Sequence, residues 1–432
     1  MKNLLIKNIR IIEPDTNTDI VSDILVQNGI ITLIESNITP PEQVSVIDLS
    51  DKWLLPGLVD IHVHLREPGE EYKETIESGV KCAASGGFVA IACMPNTKPV
   101  NDSSSITRFI IDKSKNFKGA KVYPVAAITK SQKGEELTEF GDIKDAGAVA
   151  FSDDGKWLSD PFMMRSALEY ARVLNALIIS HAEDSRICPG GVMNEGETAT
   201  ILGLRAIPNA TEDMAVFRDV CIAELTGARL HIAHISTKGS VDIIRNAKKK
   251  GINITCEVAP HHFSLTEKDC LGYNTNAKMN PPLRTEQDRM AIIEGMKDGT
   301  IDAVATDHAP HSVLEKNLEF EKASNGIIGL PTAVALFLNL IREYSFSPSD
   351  MAKLMSKNPA KIINIPIRLI KKGEKANFTI IDPELEWEVT KENILSKSFN
   401  TPFLGKTLKG KALMTVVDGF LVYDYLNLSA NS

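Results

Sequence analysis

Between residues 58 and 307, a short apolar run, a polar loop and a stretch of helical periodicity follow one another eight times. The apolar runs cover residues 58–64, 88–94, 121–128, 148–152, 177–181, 229–234, 253–258 and 302–307. Helix-period stretches lie between them, among others at 163–174, 212–225 and 240–250. Strands buried on both faces read as continuous apolar runs, and parallel neighbours need a crossover, usually a helix. The alternation therefore dictates an α/β fold with a parallel sheet, and eight units are the number that closes a (β/α)₈ TIM barrel. A doubly wound open sheet shares the alternation. The placement of the histidines favours the barrel.

The two ends of the chain have a different character. Residues 4–12, 23–26 and 30–34 near the start, and 378–381, 414–417 and 420–423 near the end, read as short strands. Asn28-Gly29 and Asp418-Gly419 between such runs are hairpin signals, because both residues of a two-residue turn tolerate positive φ. Chain termini often lie close together, so both ends are expected to build one small β-sandwich domain. The expected division is 1–56 and 370–432 for that domain and 57–369 for the barrel, within the reach of a 432-residue chain.

Composition narrows the function classes. A formal net charge of −8 argues against a general binder of nucleic acid or anionic membrane. No stretch approaches the run of about 20 apolar residues that spans a bilayer. Asn3, Lys7, Asn8 and Arg10 interrupt the first apolar patch and no small-residue cleavage site follows, so no signal peptide is read. The six cysteines (Cys82, Cys93, Cys188, Cys221, Cys256, Cys270) are scattered without a C-x-x-C pair, which suits a reducing cytoplasm and small core residues.

The chain has nine histidines, and nearly all fall at the C-terminal end of an expected strand or just beyond it. In a barrel those ends converge on the face that carries catalysis. His62 and His64 are two apart on the first strand, share a face, and can reach one ion, for which neutral imidazole is a common ligand. His181 and His234 end the fifth and sixth strands; His231, three residues before His234, reads as structural. Asp307 ends the eighth strand, where a carboxylate held against a cation stays ionised and can shuttle a proton. The adjacent Asp153 and Asp154 at the end of the fourth strand could bridge two cations, and spacing alone leaves open which of them does.

These residues sit in longer motifs. DIHVHLREP (60–68) resembles the first signature of the dihydroorotases, and ATDHAPHSVLEK (305–316) resembles the second. The resemblance runs the whole chain through CMPNT (93–97), FSDDG (151–155), HISTKGSV (234–241), APHH (259–262), KMNPPLR (278–284) and NTPFLG (400–405), and is nearest to the bacterial class I form of this amidohydrolase family. It implies two zinc ions, one on His62, His64 and Asp307 and the other on His181 and His234, with Asp154 as the bridge. Many amidohydrolases bridge with a carboxylated lysine; the fourth strand holds none, although Lys156 is near. Asp307 would be the catalytic proton carrier, and substrate contacts would fall on His64, Arg66, Asn96, Asn280, His311 and the backbone around Asn325 and Gly326. Two positions depart from the family: Asn325 replaces a more usual apolar residue, and Pro331 stands where relatives commonly carry glutamate.

The reaction so implied is the reversible cyclisation of N-carbamoyl-L-aspartate to L-dihydroorotate in pyrimidine (UMP) biosynthesis. Arg66 separates this from an allantoinase or hydantoinase, because guanidinium grips a carboxylate in a planar bidentate pair and those cyclic amides lack the ring carboxylate of dihydroorotate. A catalytically dead scaffold for aspartate transcarbamoylase is a third reading, opposed by the presence of every expected ligand. The resemblance leaves a homodimer and a complex with that transcarbamoylase open. The polar run 311–325 is expected to act as a mobile lid.

Overall fold

The structure is a computed structural model that describes residues 3–366 and 368–427. The expected terminal segments 1–56 and 370–432, and the middle segment 57–369, each include residues outside that set (1–2, 428–432 and 367).

Eight strands, all parallel to their neighbours, follow one another around a barrel in chain order: β1 (Leu58–Val63), β2 (Phe88–Cys93), β3 (Lys121–Ala126), β4 (Ala150–Ser152), β5 (Leu177–Ser180), β6 (Arg229–Ile232), β7 (Ile254–Val258) and β8 (Ala303–Val304). Closure comes from a parallel bridge between Val63 and His308, with His64 N donating to His308 O at 2.9 Å. The strands bury apolar side chains on both faces, as parallel strands covered by helices must. Val59, Ile61, Val89, Val125, Ile179 and Ala303 fill the interior together with Ala360, Ile362 and Ile363 from the region of the helix Asn358–Ile362. Ile91, Ile178, Leu230, Ile232 and Val258 belong to the cluster shared with the surrounding helices.

The intervening helices start where their sequences allow. Thr75 and Ser78 form a capping box at Ile76–Ser85, Asp160 caps Pro161–Val173 with proline in the first turn, and Thr237 caps Lys238–Lys249. Each supplies a side-chain acceptor to an amide with no partner inside the helix.

The second body is one branched sheet of eight strands from both ends of the chain. Leu4–Glu13 pairs with Thr18–Gln27 on one side and with Ser45–Asp48 and Trp53–Pro56 on the other; Trp53–Pro56 then pairs with Phe378–Glu388, joining the two termini. Leu4, Ile6, Ile24, Phe378, Ile380 and Met414 fill its core. The hairpin turns Asn28-Gly29 and Asp418-Gly419 have positive φ at all four residues. They also lie against one another: a Cβ on Gly29 would stand 2.9 Å from the Gly419 Cα, so neither glycine has room for a side chain. The sheet meets the barrel through a buried ion pair, Lys357 Nζ to Glu13 Oε1 at 2.8 Å. No helix among the described residues is long and apolar enough to cross a membrane.

Candidate metal and substrate site

His62 lies on β1, His64 and Arg66 follow it, Asp154 stands two residues past β4, His181 directly past β5, His234 two past β6 and Asp307 three past β8. The β1–β2 ladder has register shifts between Leu58 and Val59 and between Asp60 and Val63, and His62 lies within the second. Such bulges re-aim side chains. Arg66, His234 and Asp307 adopt positive φ, at 62°, 33° and 45°. A non-glycine residue held there costs about 1–3 kcal/mol, and such strain clusters at functional sites.

The six expected ligand side chains come together. His62 Nε2 lies 3.2 Å from Asp154 Oδ1 and 3.6 Å from Asp307 Oδ1, and His64 Nε2 lies 3.0 Å from Asp307 Oδ1. His181 Nδ1 and His234 Nε2 are each 3.7 Å from Asp154 Oδ1 and 2.9 Å from one another. Two sets have all their donor atoms within 4.8 Å: His62, His64 and Asp307, and His62, Asp154 and His234. His62 thus belongs to both, and His181 stands outside either set, beside His234. His62 Nε2 and Asp154 Oδ1 are buried without a hydrogen-bond partner. Leaving such atoms unsatisfied costs about 1–3 kcal/mol each. Their convergence, with four imidazoles and two carboxylates, fits a divalent-cation site.

Asp153 is employed elsewhere. Its carboxylate accepts from the amides of Ile128 (2.9 Å) and Thr129 (3.0 Å) and from the Thr129 hydroxyl, leaving Asp154 as the member of the pair that faces the histidines. Lys156 Nζ donates to the Gln132 carbonyl at 3.1 Å. Burial works against charge on both site carboxylates, yet the His62 charge and bonds from the imidazoles hold Asp154 and Asp307 far below the ordinary carboxylate range. Burial likewise opposes a charged His62, and the nearby Asp154 and Asp307 more than offset it, raising that imidazole well above its usual value.

Neighbouring residues orient this set, and three of them, Glu257, Asp60 and Glu183, were not singled out from sequence. Glu257 on β7 accepts from His62 Nδ1 at 2.7 Å and lies 3.2 Å from His231 Nε2, so the proton on His62 Nδ1 is held by Glu257 and Nε2 is the atom that would ligate a cation on giving up its own proton. Burial would raise the Glu257 carboxyl, but hydrogen bonds from His231 and His62 bring it down to about 2. Asp60 takes the backbone amides of His62 (3.0 Å) and Thr306 (3.1 Å), tying β1 to the end of β8; burial raises its carboxyl to about 7. Glu183 accepts from Asn280 Nδ2 at 2.5 Å and stands 3.7 Å from His181 Nε2. Asn96 accepts from His64 Nδ1 at 2.9 Å and donates to Asp154 Oδ2 at 3.4 Å.

Above the cluster opens a cavity of about 180 Å³, lined by His64, Arg66, Asn96, Asn280, His311 and Asn325 together with Asp154, His181, His234 and Asp307. Drug-sized ligands occupy about 300–1,000 Å³, so this space suits a small polar molecule. His62 lies beneath it, fully buried, and Gly326 packs behind His311. Arg66 is buried; its Nε donates to Pro310 O at 3.1 Å and its Nη2 to His311 Nε2 at 3.3 Å. Burial, then the Arg66 and Lys73 charges, push His311 down to about 3, so this imidazole is neutral and accepts from the guanidinium. Two of the five guanidinium N–H groups are thereby used, and Arg66 lines the cavity.

The Dihydro-orotase-like family model matches residues 51–240. Among solved structures, the L-hydantoinase (dihydropyrimidinase) from Arthrobacter aurescens superposes with a TM-score of 0.86 at 24% identity, covering 98% of this chain and 97% of that one. The D-hydantoinase from a Thermus species superposes at 0.80 and 24% identity, covering 98% of this chain and 95% of its own. These likenesses establish the fold. Identity over the full length speaks to kinship: the dihydroorotase of Geobacter metallireducens is 52% identical over 98% of this chain and 99% of its own, and that of Syntrophus aciditrophicus 50% over 97% and 99%. With its His and Asp side chains gathered at the mouth of the barrel and its whole length aligned to such relatives, the chain belongs to the dihydroorotase family.

Proposed function

We propose that the chain catalyses the reversible cyclisation of N-carbamoyl-L-aspartate to L-dihydroorotate, with two zinc ions as its cofactor. The observation that carries this reading is Arg66, a buried guanidinium on the cavity wall beside the six-residue cluster. A planar fork of N–H donors in a dry site recognises a carboxylate bidentately. Hydantoins and dihydropyrimidines offer none.

His62, His64 and Asp307 would hold one cation and His181 and His234 the other, with Asp154 shared; the orphaned Nε2 and Oδ1 atoms of His62 and Asp154 support this assignment. Held there, a pair of divalent cations would lower the pKa of water toward neutrality and polarise the carbonyl under attack. Asp307, kept ionised among His62 and His64, accepts the proton of the attacking water and passes it to the amide nitrogen that departs. In the biosynthetic direction it takes that proton from the carbamoyl nitrogen. Arg66, with neutral His311 and Asn96, holds the ring carboxylate so that the carbonyl lies over the cluster. The amide of Asn280 is turned by Glu183, which occupies its Nδ2 and leaves its carbonyl oxygen for a substrate N–H. The six cysteines, all free and without a C-x-x-C pair, support a place in the reducing cytoplasm.

The test is hydrolysis of dihydroorotate followed at its ring absorbance, with and without a chelator, beside hydantoin and dihydrouracil. Turnover of dihydroorotate that the chelator abolishes is the expected result. Turnover of the two carboxylate-free rings in its place would refute the reading.

A further inference from the structure

Three motif residues have no part in the site as described: Lys278 of KMNPPLR, Lys316 at the end of ATDHAPHSVLEK and Asn400 of NTPFLG. They meet at Gly326. Its amide donates to Lys278 O at 2.9 Å, and its carbonyl accepts from Lys316 Nζ at 3.1 Å and from Asn400 Nδ2 at 3.0 Å. Asn400 reaches His311 as well: its Oδ1 accepts the His311 amide at 3.0 Å and its Nδ2 donates to Ala309 O at 2.9 Å. Lys316 Nζ also donates to Ser324 O at 2.8 Å, and Lys278 Nζ to Ala323 O at 2.7 Å and Glu321 O at 3.1 Å.

Lys278 and Lys316 are only 4% and 5% exposed, and neither takes part in an ion pair among the described residues. Burying an ammonium without a counter-ion is unfavourable, and burial beside Lys278 lowers Lys316 to about 7. Two such groups at one loop, both spent on carbonyls, fix the path of residues 321–326. That path bears on the site directly. Gly326 has φ +155°, and a Cβ on it would stand 2.7 Å from the His311 ring, so its backbone is the wall behind the imidazole that accepts from Arg66.

We infer that Lys316 and Asn400 are positioning residues for the anionic end of the substrate: through Gly326 they hold His311 and the 325–326 backbone against Arg66. This rests on the carbamoyl-aspartate reading. Neither residue touches the cavity floor where the metal ligands stand, so their loss acts on binding before chemistry.

The test uses the full-length, metal-loaded protein and the variants Lys316→Met, Asn400→Ala and the isosteric Asn400→Asp, which keeps the acceptor and removes the donor. The expected result is a rise in KM for dihydroorotate of about tenfold or more with a much smaller change in kcat. Metal content should be unchanged, and chymotrypsin should cut faster at Leu318 or Phe320. Unchanged KM and cleavage in all folded variants overturns the inference, as does a fall confined to kcat or to bound metal. Should the parent protein fail to turn over dihydroorotate, the functional reading falls, and the cleavage rates alone decide whether these residues hold the loop.

Discussion

Replacing Arg66 with methionine keeps the apolar stem of the side chain, about as far as Nε, and removes the guanidinium. In the structure that group is buried, bonded to Pro310 O at 3.1 Å and His311 at 3.3 Å, on a residue that lines the cavity. A substrate carboxylate would meet it out of bulk water. Truncating one partner of a buried, hydrogen-bonded charge pair costs about 2–5 kcal/mol, much of it the penalty on the charge left behind. Taking about 2–4 kcal/mol for a cavity that water still reaches, and 1.36 kcal/mol per tenfold, kcat/KM for dihydroorotate should fall by about 30- to 1,000-fold. Because the carboxylate is held alike in the ground and transition states, most of the loss should lie in KM. Arg66→Lys should recover little, since a point charge lacks the fork. Steady-state kinetics in both directions at constant metal loading give the answer. Unchanged KM and kcat in Arg66→Met would refute the claim that this residue reads the carboxylate.

Other expectations follow from the same contacts. Asp307→Asn keeps the shape of the side chain but cannot take a proton, so kcat should drop by about 10²- to 10⁴-fold in the dihydroorotate assay; a kcat near that of the parent would contradict the role. Glu257 is held at about 2 against an ordinary 4.5, so its contribution is present above pH 4.5 and is lost as pH falls toward 2, amounting to about 3 kcal/mol. Urea unfolding at pH 5 and pH 3 should show about 2 kcal/mol of that loss, and Glu257→Gln should flatten it; an equal fall in both proteins would count against the buried pair with His62 and His231. Lys357→Met strands the Glu13 carboxylate between the terminal sheet and the barrel, where the pair is 1% and 0% exposed, and should cost about 3 kcal/mol in chemical unfolding.

The barrel was readable because its signals are local. An apolar run, a turn and a helical period each announce themselves within a dozen residues, and all eight strands lie within the runs expected for them. The histidines were readable for a related reason, since a residue at the end of a barrel strand has one face to serve. Glu257 was not. In ITCEV its inward direction depends on a register that pairs His231 with Thr255, a pairing made across sequence that no local pattern states. Trp53–Pro56 was hidden for the same reason: four residues containing a proline become a strand because Leu4–Glu13 and Phe378–Glu388 flank them. The run 311–325 reads as a mobile lid from its polarity, and the same polarity hid that Lys316 in it and Lys278 outside it are buried and bound to its carbonyls. Charged residue types suggest solvent until a fold supplies enough acceptors to bury them.

The proposed chemistry requires cations held by His62, His64, Asp154, His181, His234 and Asp307. Elemental analysis of the purified protein, run beside the dihydroorotate assay before and after chelation, addresses that directly. About two divalent ions per chain, with activity lost on their removal and regained on adding zinc, is the predicted result. Full activity in protein stripped of metal would contradict it.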